Sequence, residues 1–460
     1  MSSNIKILTR DINSLSNNLA KSGAKAKWAG TPGAEMIGAT GVENIDPGMS
    51  AELAELAQPG AIAASRGKWS AHFAGTRNVD HSISIFAGIF TFVFGSLGYP
   101  LLPMIVGALQ DHLHFTIRQV GAIASGEMSG MFVSAALALL WIRKVDWRWT
   151  AFGCCVALIA CHILSGQVSS FAALLSLRFL AGLFGGSMMA IGATAVGDSS
   201  NPEANVALLN VAQTAMCAIG FYVMPPLVDS YGTTGAFVFL AVYVLPALVI
   251  AMLLPASGRW PKPGHAIDTA KPASKGAIAV LLFVSFPAFL FFAGYASSWA
   301  YIERIGVTAG LSHKEVGTAL SISLIAGSVG SIAAWLLRMR VGRLIPTFVT
   351  LLCQLASLAV LLWFLQGPLF YLAALMVFVF FVNFPNSYQV GLAVNADVTG
   401  RAAVVFLLML KAGIAVAPYL AATFVVGNDF HGPMILGAVL YTLSFLNFWA
   451  GEMYTRRKAA

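Results

Sequence analysis

The sequence predicts an all-α polytopic membrane protein with twelve transmembrane helices in two parallel six-helix repeats. The composition, the distribution of basic residues between loops and a repeated helix pattern support this prediction. Hydrophobic residues make up 58% of the 460-residue chain and charged residues only 10%, whereas a soluble domain carries about 25% charged residues. There is therefore no room for a large soluble domain beside the spans. The net charge of +8 is explained by basic loops rather than by nucleic-acid binding.

The first 80 residues differ from the rest of the chain. Residues 1–80 are rich in Ser, Asn, Ala, Gly and Lys and contain no apolar run long enough to span a bilayer. We expect a disordered cytoplasmic tail here. Beyond it, about 20 apolar residues per helix define each span. The predicted spans are 82–109, 119–142, 148–167, 171–196, 205–228, 234–255, 277–301, 314–337, 344–365, 368–393, 402–426 and 432–450.

Basic residues are distributed very unevenly between the two sets of loops. Of the 27 Lys and Arg residues, only Arg118, Arg304 and Lys314 fall in the loops on one face, and only Arg178 and Lys411 fall within spans. The others share the opposite face with both chain ends. Because cytoplasmic loops are enriched in Lys and Arg, we expect both termini in the cytoplasm and an even number of spans. The expected location is the inner (plasma) membrane.

An internal repeat divides the spans into two halves. Gly220-x-x-x-Met224-Pro225 in the fifth span is matched by Gly413-x-x-x-Ala417-Pro418 in the eleventh. The same offset relates the start of the first span to that of the seventh, so the halves are parallel repeats. The predicted organisation is a first half at 81–256, a cytoplasmic linker at 257–275, a second half at 276–451 and a cytoplasmic tail at 452–460.

Three charged residues, Glu127, Arg178 and Lys411, lie deep within apolar spans. A charge at membrane depth is costly and usually lines a water-filled path. At about 1.5 Å per residue, Glu127 and Arg178 lie roughly 12 and 10 Å from the outer ends of their helices, so we expect an ion pair. This pair is either a proton switch or a static link between two helices. Lys411, near the midplane, either faces a solute path, snorkels, satisfies carbonyls freed by Pro418, or itself titrates.

Several uncharged polar residues are candidates to complete a binding site. Asn383 is the best of them, because Pro385 is expected to break the helix locally and free carbonyls for a ligand. Asn386, Tyr388 and Gln213 are weaker candidates at similar depth.

Motifs of ATP-driven and metal-dependent chemistry are absent from the sequence. It contains no GxxxxGK[ST] loop, no HExxH and no paired CxxC, so we expect no cofactor, no metal and no enzyme activity. The five cysteines all fall in apolar segments and are interpreted as small buried hydrophobic residues.

Three local motifs resemble the major facilitator superfamily over roughly residues 82–450. Residues 178–185 (RFLAGLFG) are similar to its fourth-helix motif, in which an Arg is followed by small residues. Residues 340–343 (RVGR) resemble the second-half copy of its basic loop motif, and residues 231–239 (YGTTGAFVF) are similar to its entry into the sixth helix. The first-half loop copy at 143–148 departs from the pattern because it lacks the expected glycines. Met224 and Val228-Asp229 replace the glycines of the motif found in drug/proton antiporters.

The resemblance implies a monomeric, secondary-active transporter of the rocker-switch type. In that fold Arg178 and Lys411 would face a central cavity from opposite halves, and two cations against one carboxylate favour a small organic anion, most simply a carboxylate. Glu127 would carry the proton, and symport fits an anionic substrate. By the same resemblance, His162 lies in a peripheral helix and is interpreted as structural. Glu303 and Arg304, at the outer mouth of the seventh span, are interpreted as a gate or a solvated rim.

Two alternatives remain at this point. A proton-coupled exporter of amphipathic compounds or drugs would keep Glu127 and Arg178 as the coupling pair and would not need Lys411. A membrane protein that does not transport, such as a receptor-like derivative, is favoured by the degenerate 143–148 loop and the long N-terminal tail.

Overall fold

The computed structural model describes residues 78–258, 285–337, 341–396, 401–427 and 429–459. All but the last three residues of the predicted N-terminal tail, and nearly all of the predicted linker at 257–275, therefore lie outside the described residues.

Every regular element in the described part of the chain is helical, apart from an isolated bridge between Val426 and Asp429. The helices that precede the gap at 259–284 are called the N-terminal group: α1 Ser82–Ser96, α2 Leu102–Leu113, α3 Ile117–Trp141, α4 Trp147–Ser165, α5 Phe171–Gly197, α6 Pro202–Val244 and α7 Pro246–Ala251. Those that follow it are the C-terminal group: α8 Phe286–Trp299, α9 Ile302–Thr308, α10 His313–Leu337, α11 Leu344–Trp363, α12 Pro368–Ala396, α13 Arg401–Ala422 and α14 His431–Ala459.

The helical fold agrees with the all-α membrane class predicted from composition. Eight candidate membrane spans among the described residues are long and apolar enough to cross a bilayer, and Ser82–Ser96 and Pro368–Val382 are shorter apolar helices. The chain is therefore an integral, multi-pass membrane protein. The count of twelve spans and their division into two six-helix repeats remain predictions.

Helix α6 contains the predicted fifth span and the first half of the sixth as a hairpin. Gly232 interrupts it with φ 62° and ψ −146°, a left-handed backbone conformation that glycine adopts without a steric cost. The Tyr243 hydroxyl donates to the Met216 carbonyl at 2.8 Å. A straight helix would separate these residues by about 40 Å, so the chain must reverse at the glycine.

Helices α3 and α5 pack against each other at backbone distance. A Cβ on Gly182 would overlap the carbonyl oxygen of Glu127, and one on Gly130 would overlap the carbonyl oxygen of Phe179. Small residues allow helices in a membrane to approach this closely, so that dispersion contacts replace the missing hydrophobic effect. The glycines thereby fix the positions of the charged residues on both helices.

The most extensive contacts between the two groups join α3 with α13, α6 with α10, and α2 with α9. Some of these contacts lie at the end of the bundle that contains Asp111, Arg304 and Ala422. This end is called the Arg304 end. There, Gly121 of α3 approaches Ala422 and the Pro418 carbonyl so closely that any Cβ would clash.

We expect Gly182→Ala to destabilise the protein, because the added methyl group meets the backbone of α3 and the two helices must separate. Overpacking of this kind costs about 1–3 kcal/mol. The measurement is the thermal unfolding midpoint of the purified protein in detergent, followed by tryptophan fluorescence. Gly153→Ala in α4 is the matched control, since nothing lies within 4 Å of its Cβ position. Equal midpoints for the two variants would contradict the proposed tight contact.

Candidate functional site

The two buried charges of the N-terminal group lie side by side. The Arg178 Nη1 and Glu127 Oε2 atoms are 3.8 Å apart, and the two side chains are 0% and 3% exposed. This distance allows an ion pair but exceeds that of a hydrogen bond. No hydrogen bond joins the Glu127 carboxylate to another residue in the part of the chain that the structure describes. The carboxylate is therefore held by charge rather than by fixed hydrogen bonds.

Arg178 is held much more firmly than Glu127. Its guanidinium donates to the Ser165 hydroxyl at 2.8 Å and the Cys161 carbonyl at 3.1 Å, and it contacts His162 Nδ1 at 3.2 Å. Its Cζ atom lies 4.6 Å from the centre of the Phe237 ring, a cation–π distance. Because arginine only donates hydrogen bonds, His162 accepts through Nδ1 and is neutral, with its proton on Nε2.

His162, which the sequence analysis interpreted as structural, therefore contacts Arg178 directly, a contact that the sequence did not predict. Ser165 follows it by three residues on α4, so both side chains face the same neighbouring helix. That spacing was the only indication of their role available in the sequence.

The Glu127 carboxylate also reaches a break in the first predicted span. A Cβ on Gly98 would overlap Glu127 Oε1, so Gly98 leaves the space that the carboxylate occupies. Gly98 belongs to the non-helical segment between α1 and α2. Gln213 lies near the same segment, because its side-chain nitrogen donates to the Ser96 hydroxyl at 2.9 Å.

Lys411 lies on α13 and differs from Arg178 in having no counter-ion among the described residues. It is half-buried, and no hydrogen bond or ion pair connects it to another described residue. Two residues further on, Gly413 packs against the Phe289 carbonyl of α8. The structure therefore brings Glu127 and Arg178 together, whereas no described contact joins either of them to Lys411.

The remaining candidates lie on α12. Its helical conformation continues through Pro385 from Pro368 to Ala396, so the local break predicted there is wrong; the proline only removes one backbone donor. The side chains of Asn383 and Asn386 lie outside the described residues. Tyr388 is 4% exposed and packs beside Phe384 and Ala334.

A network of charged residues joins the two helix groups at the Arg304 end. The Arg304 guanidinium donates to both carboxylate oxygens of Asp111, at 2.6 and 2.8 Å, and to Glu303 at 2.7 Å. His313 Nδ1 lies 3.0 Å from the Glu303 carboxylate. Arg304 and Glu303 are buried, whereas the Asp111 side chain is 37% exposed. A guanidinium and a carboxylate joined by two parallel hydrogen bonds form a geometrically specific, charge-assisted contact.

Uncharged contacts between the groups reinforce this network. The Trp299 indole donates to the Pro100 carbonyl at 3.2 Å, the Tyr419 amide to the Ser125 hydroxyl at 2.9 Å, and the Ser321 hydroxyl to the Ala218 carbonyl at 3.0 Å. At the opposite end, the ion pairs Arg143–Asp198 and Arg343–Glu452 each lie within one group. The two groups are therefore closed against each other at the Arg304 end.

We expect Asp111→Asn to weaken this closure, because the Asn side chain offers Arg304 one neutral acceptor in place of two carboxylate oxygens. Allowing for the partial exposure of Asp111, the loss is about 1 kcal/mol, or about a fivefold fall in the closed-to-open equilibrium constant. The measurement is the disulfide yield between Thr214→Cys and Ser328→Cys, whose hydroxyl oxygens lie 3.3 Å apart across the groups.

Asp429→Asn is the matched control for this experiment, since Asp429 pairs with His431 in its own loop. The single cysteine variants control for the native cysteines. A disulfide yield unchanged by Asp111→Asn would show that the Arg304 network does not stabilise the closed arrangement.

The helical bundle with buried intramembrane charges defines a polytopic membrane protein. The family model described as Major Facilitator Superfamily matches residues 84–418, and the chain belongs to that family. The expected family resemblance is thereby confirmed, and family membership makes the protein a transporter rather than an enzyme. No curated protein sequence matches the chain significantly.

Solved structures of the nucleoside transporter NupG share this fold. A mutant of that protein superimposes with a TM-score of 0.67 at 12% sequence identity, and the match covers 80% of this chain and 100% of the other. A second structure of NupG gives a TM-score of 0.63 at 12% identity, covering 81% and 99% of the two chains. At this level of identity the similarity establishes the fold alone.

Proposed function

We propose that the protein is a proton-coupled transporter of a small organic anion, most simply a carboxylate, that works by alternating access. In this proposal twelve spans form two six-helix halves, 81–256 and 276–451, joined by a cytoplasmic linker at 257–275. Both termini, including the tails 1–80 and 452–460, are cytoplasmic, and the protein is a monomer in the inner (plasma) membrane. The distribution of basic residues supports this orientation. In this orientation, the Arg304 end is the outer end of the bundle.

The Glu127–Arg178 pair is the observation that carries the proposal of proton coupling. Glu127 is buried 3.8 Å from a guanidinium that four other groups hold in place. A carboxylate in apolar surroundings is destabilised when charged, whereas a nearby cation stabilises the charge. A small movement of Glu127 relative to Arg178 therefore changes its affinity for a proton.

Lys411 provides the proposed attraction for an anion. A cation at membrane depth without a counter-ion is costly, and a substrate carboxylate would supply the missing charge. Gln213, Tyr388, Asn383 and Asn386 are proposed to contribute polar contacts to the same substrate. Arg178 is proposed to act mainly on Glu127, since its donors are engaged by α4.

The two groups are closed against each other at the Arg304 end. In the proposed alternating-access cycle, this arrangement blocks access to the site from the outer side of the membrane. Opening to the outside then requires the Arg304–Asp111 contact to break, while the Glu127–Arg178 pair stays within its own half. In symport, the co-moving proton offsets the membrane potential that opposes entry of an anion.

A neutral substrate is the second candidate, and the fold similarity to a nucleoside transporter favours it. A carrier of neutral nucleosides, like an exporter of amphipathic compounds, would not need Lys411. Replacement of this lysine therefore discriminates between the candidates.

We expect an organic acid to acidify proteoliposomes that contain the wild-type protein, as measured with an internal pH-sensitive dye. Glu127→Gln should reduce this flux to the protein-free rate, because an amide cannot carry the proton. Lys411→Ala should lower the apparent affinity for the anion on the order of tenfold or more, because the unpaired cation is removed. A panel of carboxylates, lipophilic cations and uridine identifies the substrate class.

Exposed residues provide matched controls for this assay. Glu203→Gln and Lys144→Ala change the same charges at exposed positions and should leave transport unchanged. Protein-free vesicles control for the unaided diffusion of weak acids. Absence of proton movement with every compound would refute proton coupling, and full retention of transport in Lys411→Ala would favour the neutral or amphipathic substrate.

A further inference from the structure

His313, at the start of α10, lies between carboxylates of both helix groups. Its Nδ1 atom is 3.0 Å from the Glu303 carboxylate of its own group, and its Nε2 atom is 3.8 Å from the Asp111 carboxylate of the N-terminal group. The imidazole side chain is 32% exposed, so a proton from solution can reach it. His313 therefore contacts both groups at the end of the bundle where they are closed against each other.

The geometry determines which nitrogen of the neutral His313 ring carries the proton. Because an ionised carboxylate only accepts hydrogen bonds, Nδ1 must donate to Glu303, and the neutral ring then has no proton on Nε2. A lone pair on Nε2 consequently faces the Asp111 carboxylate. Protonation of Nε2 replaces this repulsion with an ion pair that crosses from one helix group to the other.

The charges around His313 are mainly negative. Besides Glu303 and Asp111, Asp229 of α6 lies close enough to act on the ring electrostatically. Arg304 opposes these carboxylates, but its guanidinium is already shared between Asp111 and Glu303. Three carboxylates against one guanidinium favour a second positive charge at this position.

The other charged and titratable groups near this position are arranged differently. Glu315, in the first turn of α10, accepts from the Ser312 amide at 2.9 Å and from its hydroxyl at 2.8 Å. His112 of α2 packs against Gly232, and Lys314 is exposed. None of these three titratable groups forms an ion pair with another described residue. Protonation of His313, by contrast, directly changes the contact between the two helix groups.

We propose that His313, Glu303 and Asp111 form a second proton site, separate from Glu127, and that a proton bound there holds the Arg304 end closed. Opening of this end separates Asp111 from His313, while Glu303 stays with His313 in the C-terminal group. The closed arrangement therefore binds the proton more tightly than the open one, and by linkage acid favours closure. The inference rests on the proposed alternating-access cycle, but not on the substrate or on Glu127.

A proton site at this end places one step of the cycle under the control of external pH. In the proposed orientation, His313 exchanges protons with the outer solution. The unperturbed imidazole changes charge between about pH 5 and pH 8, so an acidic exterior promotes closure after the substrate has entered. Proton-driven uptake requires closure in this direction.

The test measures the distance between spin labels on the two groups at the Arg304 end, in the purified full-length protein in detergent. Ser169→Cys and Gln366→Cys carry the labels, because both positions are exposed and lie in loops of opposite groups, between α4 and α5 and between α11 and α12. Pulsed electron paramagnetic resonance gives the ratio of the short, closed distance to the long, open one. The protein without introduced cysteines controls for labelling of the native ones.

We expect the closed-to-open ratio of the wild type to rise about twofold to fivefold when the pH falls from about 8 to about 5.5, the effect of a partly exposed ion pair. His313→Gln can still donate to Glu303 but cannot take up a charge, so its ratio should stay constant over this range. His313→Lys carries a permanent charge and should show the higher ratio at both pH values.

Histidines elsewhere at the same end provide matched controls. His431→Gln should retain the pH response, since His431 pairs with Asp429 within one loop of the C-terminal group. His112→Gln should also retain it, because His112 has no ion pair with a described residue. An unchanged thermal midpoint in each variant shows that the fold is retained.

The outcomes separate this inference from the proposed function. A pH response that persists in His313→Gln, or a wild type whose ratio does not change with pH, overturns the second proton site, while the two distances still support the cycle. A response lost in Glu127→Gln but not in His313→Gln assigns it to Glu127 and likewise overturns the site. A single distance at both pH values, in the wild type and in Asp111→Asn, contradicts opening at the Arg304 end and overturns both.

Discussion

The close contact between the backbones of α3 and α5 is the constraint on which the candidate site depends. Gly182 leaves room for the carbonyl of Glu127, and Gly130 leaves room for that of Phe179. With the helices at this distance, the side chains of Glu127 and Arg178 are almost fully buried and lie next to each other. An unpaired charge at that depth would cost several kcal/mol, so the packing and the ion pair depend on each other.

The two members of the pair are held unequally, because contacts fix Arg178 much more firmly than Glu127. Arg178 is fixed by Ser165, Cys161 and the Phe237 ring, so it provides a stationary positive potential. Glu127 is held only by charge at 3.8 Å and rests against the helix break at Gly98. Of the two groups, the carboxylate is therefore the one whose surroundings a conformational change can alter.

Sequence reasoning located the buried charges because hydropathy and helix rise depend only on the residues of one span. It predicted the depth match of Glu127 and Arg178, but it did not predict the contact of His162 with Arg178, because that contact depends on how α4 packs against α5. The predicted break at Pro385 is absent, whereas the structure breaks the first span around Gly98. A proline within a membrane helix removes one donor, and neighbouring helices decide whether the backbone then opens.

Sequence reasoning also placed Glu303 and Arg304 at the mouth of a span without identifying their partner. Asp111 comes from the other helix group, and no local pattern relates residues so far apart in sequence. The same holds for the hydrogen bond between the Trp299 indole and the Pro100 carbonyl, which also joins the two helix groups. Composition and periodicity therefore predicted the helices, whereas the candidate sites depend on contacts between helices.

The charged network at the Arg304 end and the Glu127–Arg178 pair illustrate two uses of buried ions. Because the Asp111 side chain is 37% exposed, its pair with Arg304 is worth about 1 kcal/mol, which suits a contact that the proposed cycle must open. Glu127 and Arg178 are almost fully buried within one helix group, where an unpaired charge would cost several kcal/mol. In the proposed function their balance therefore changes through protonation, which leaves opening to one network and coupling to the other.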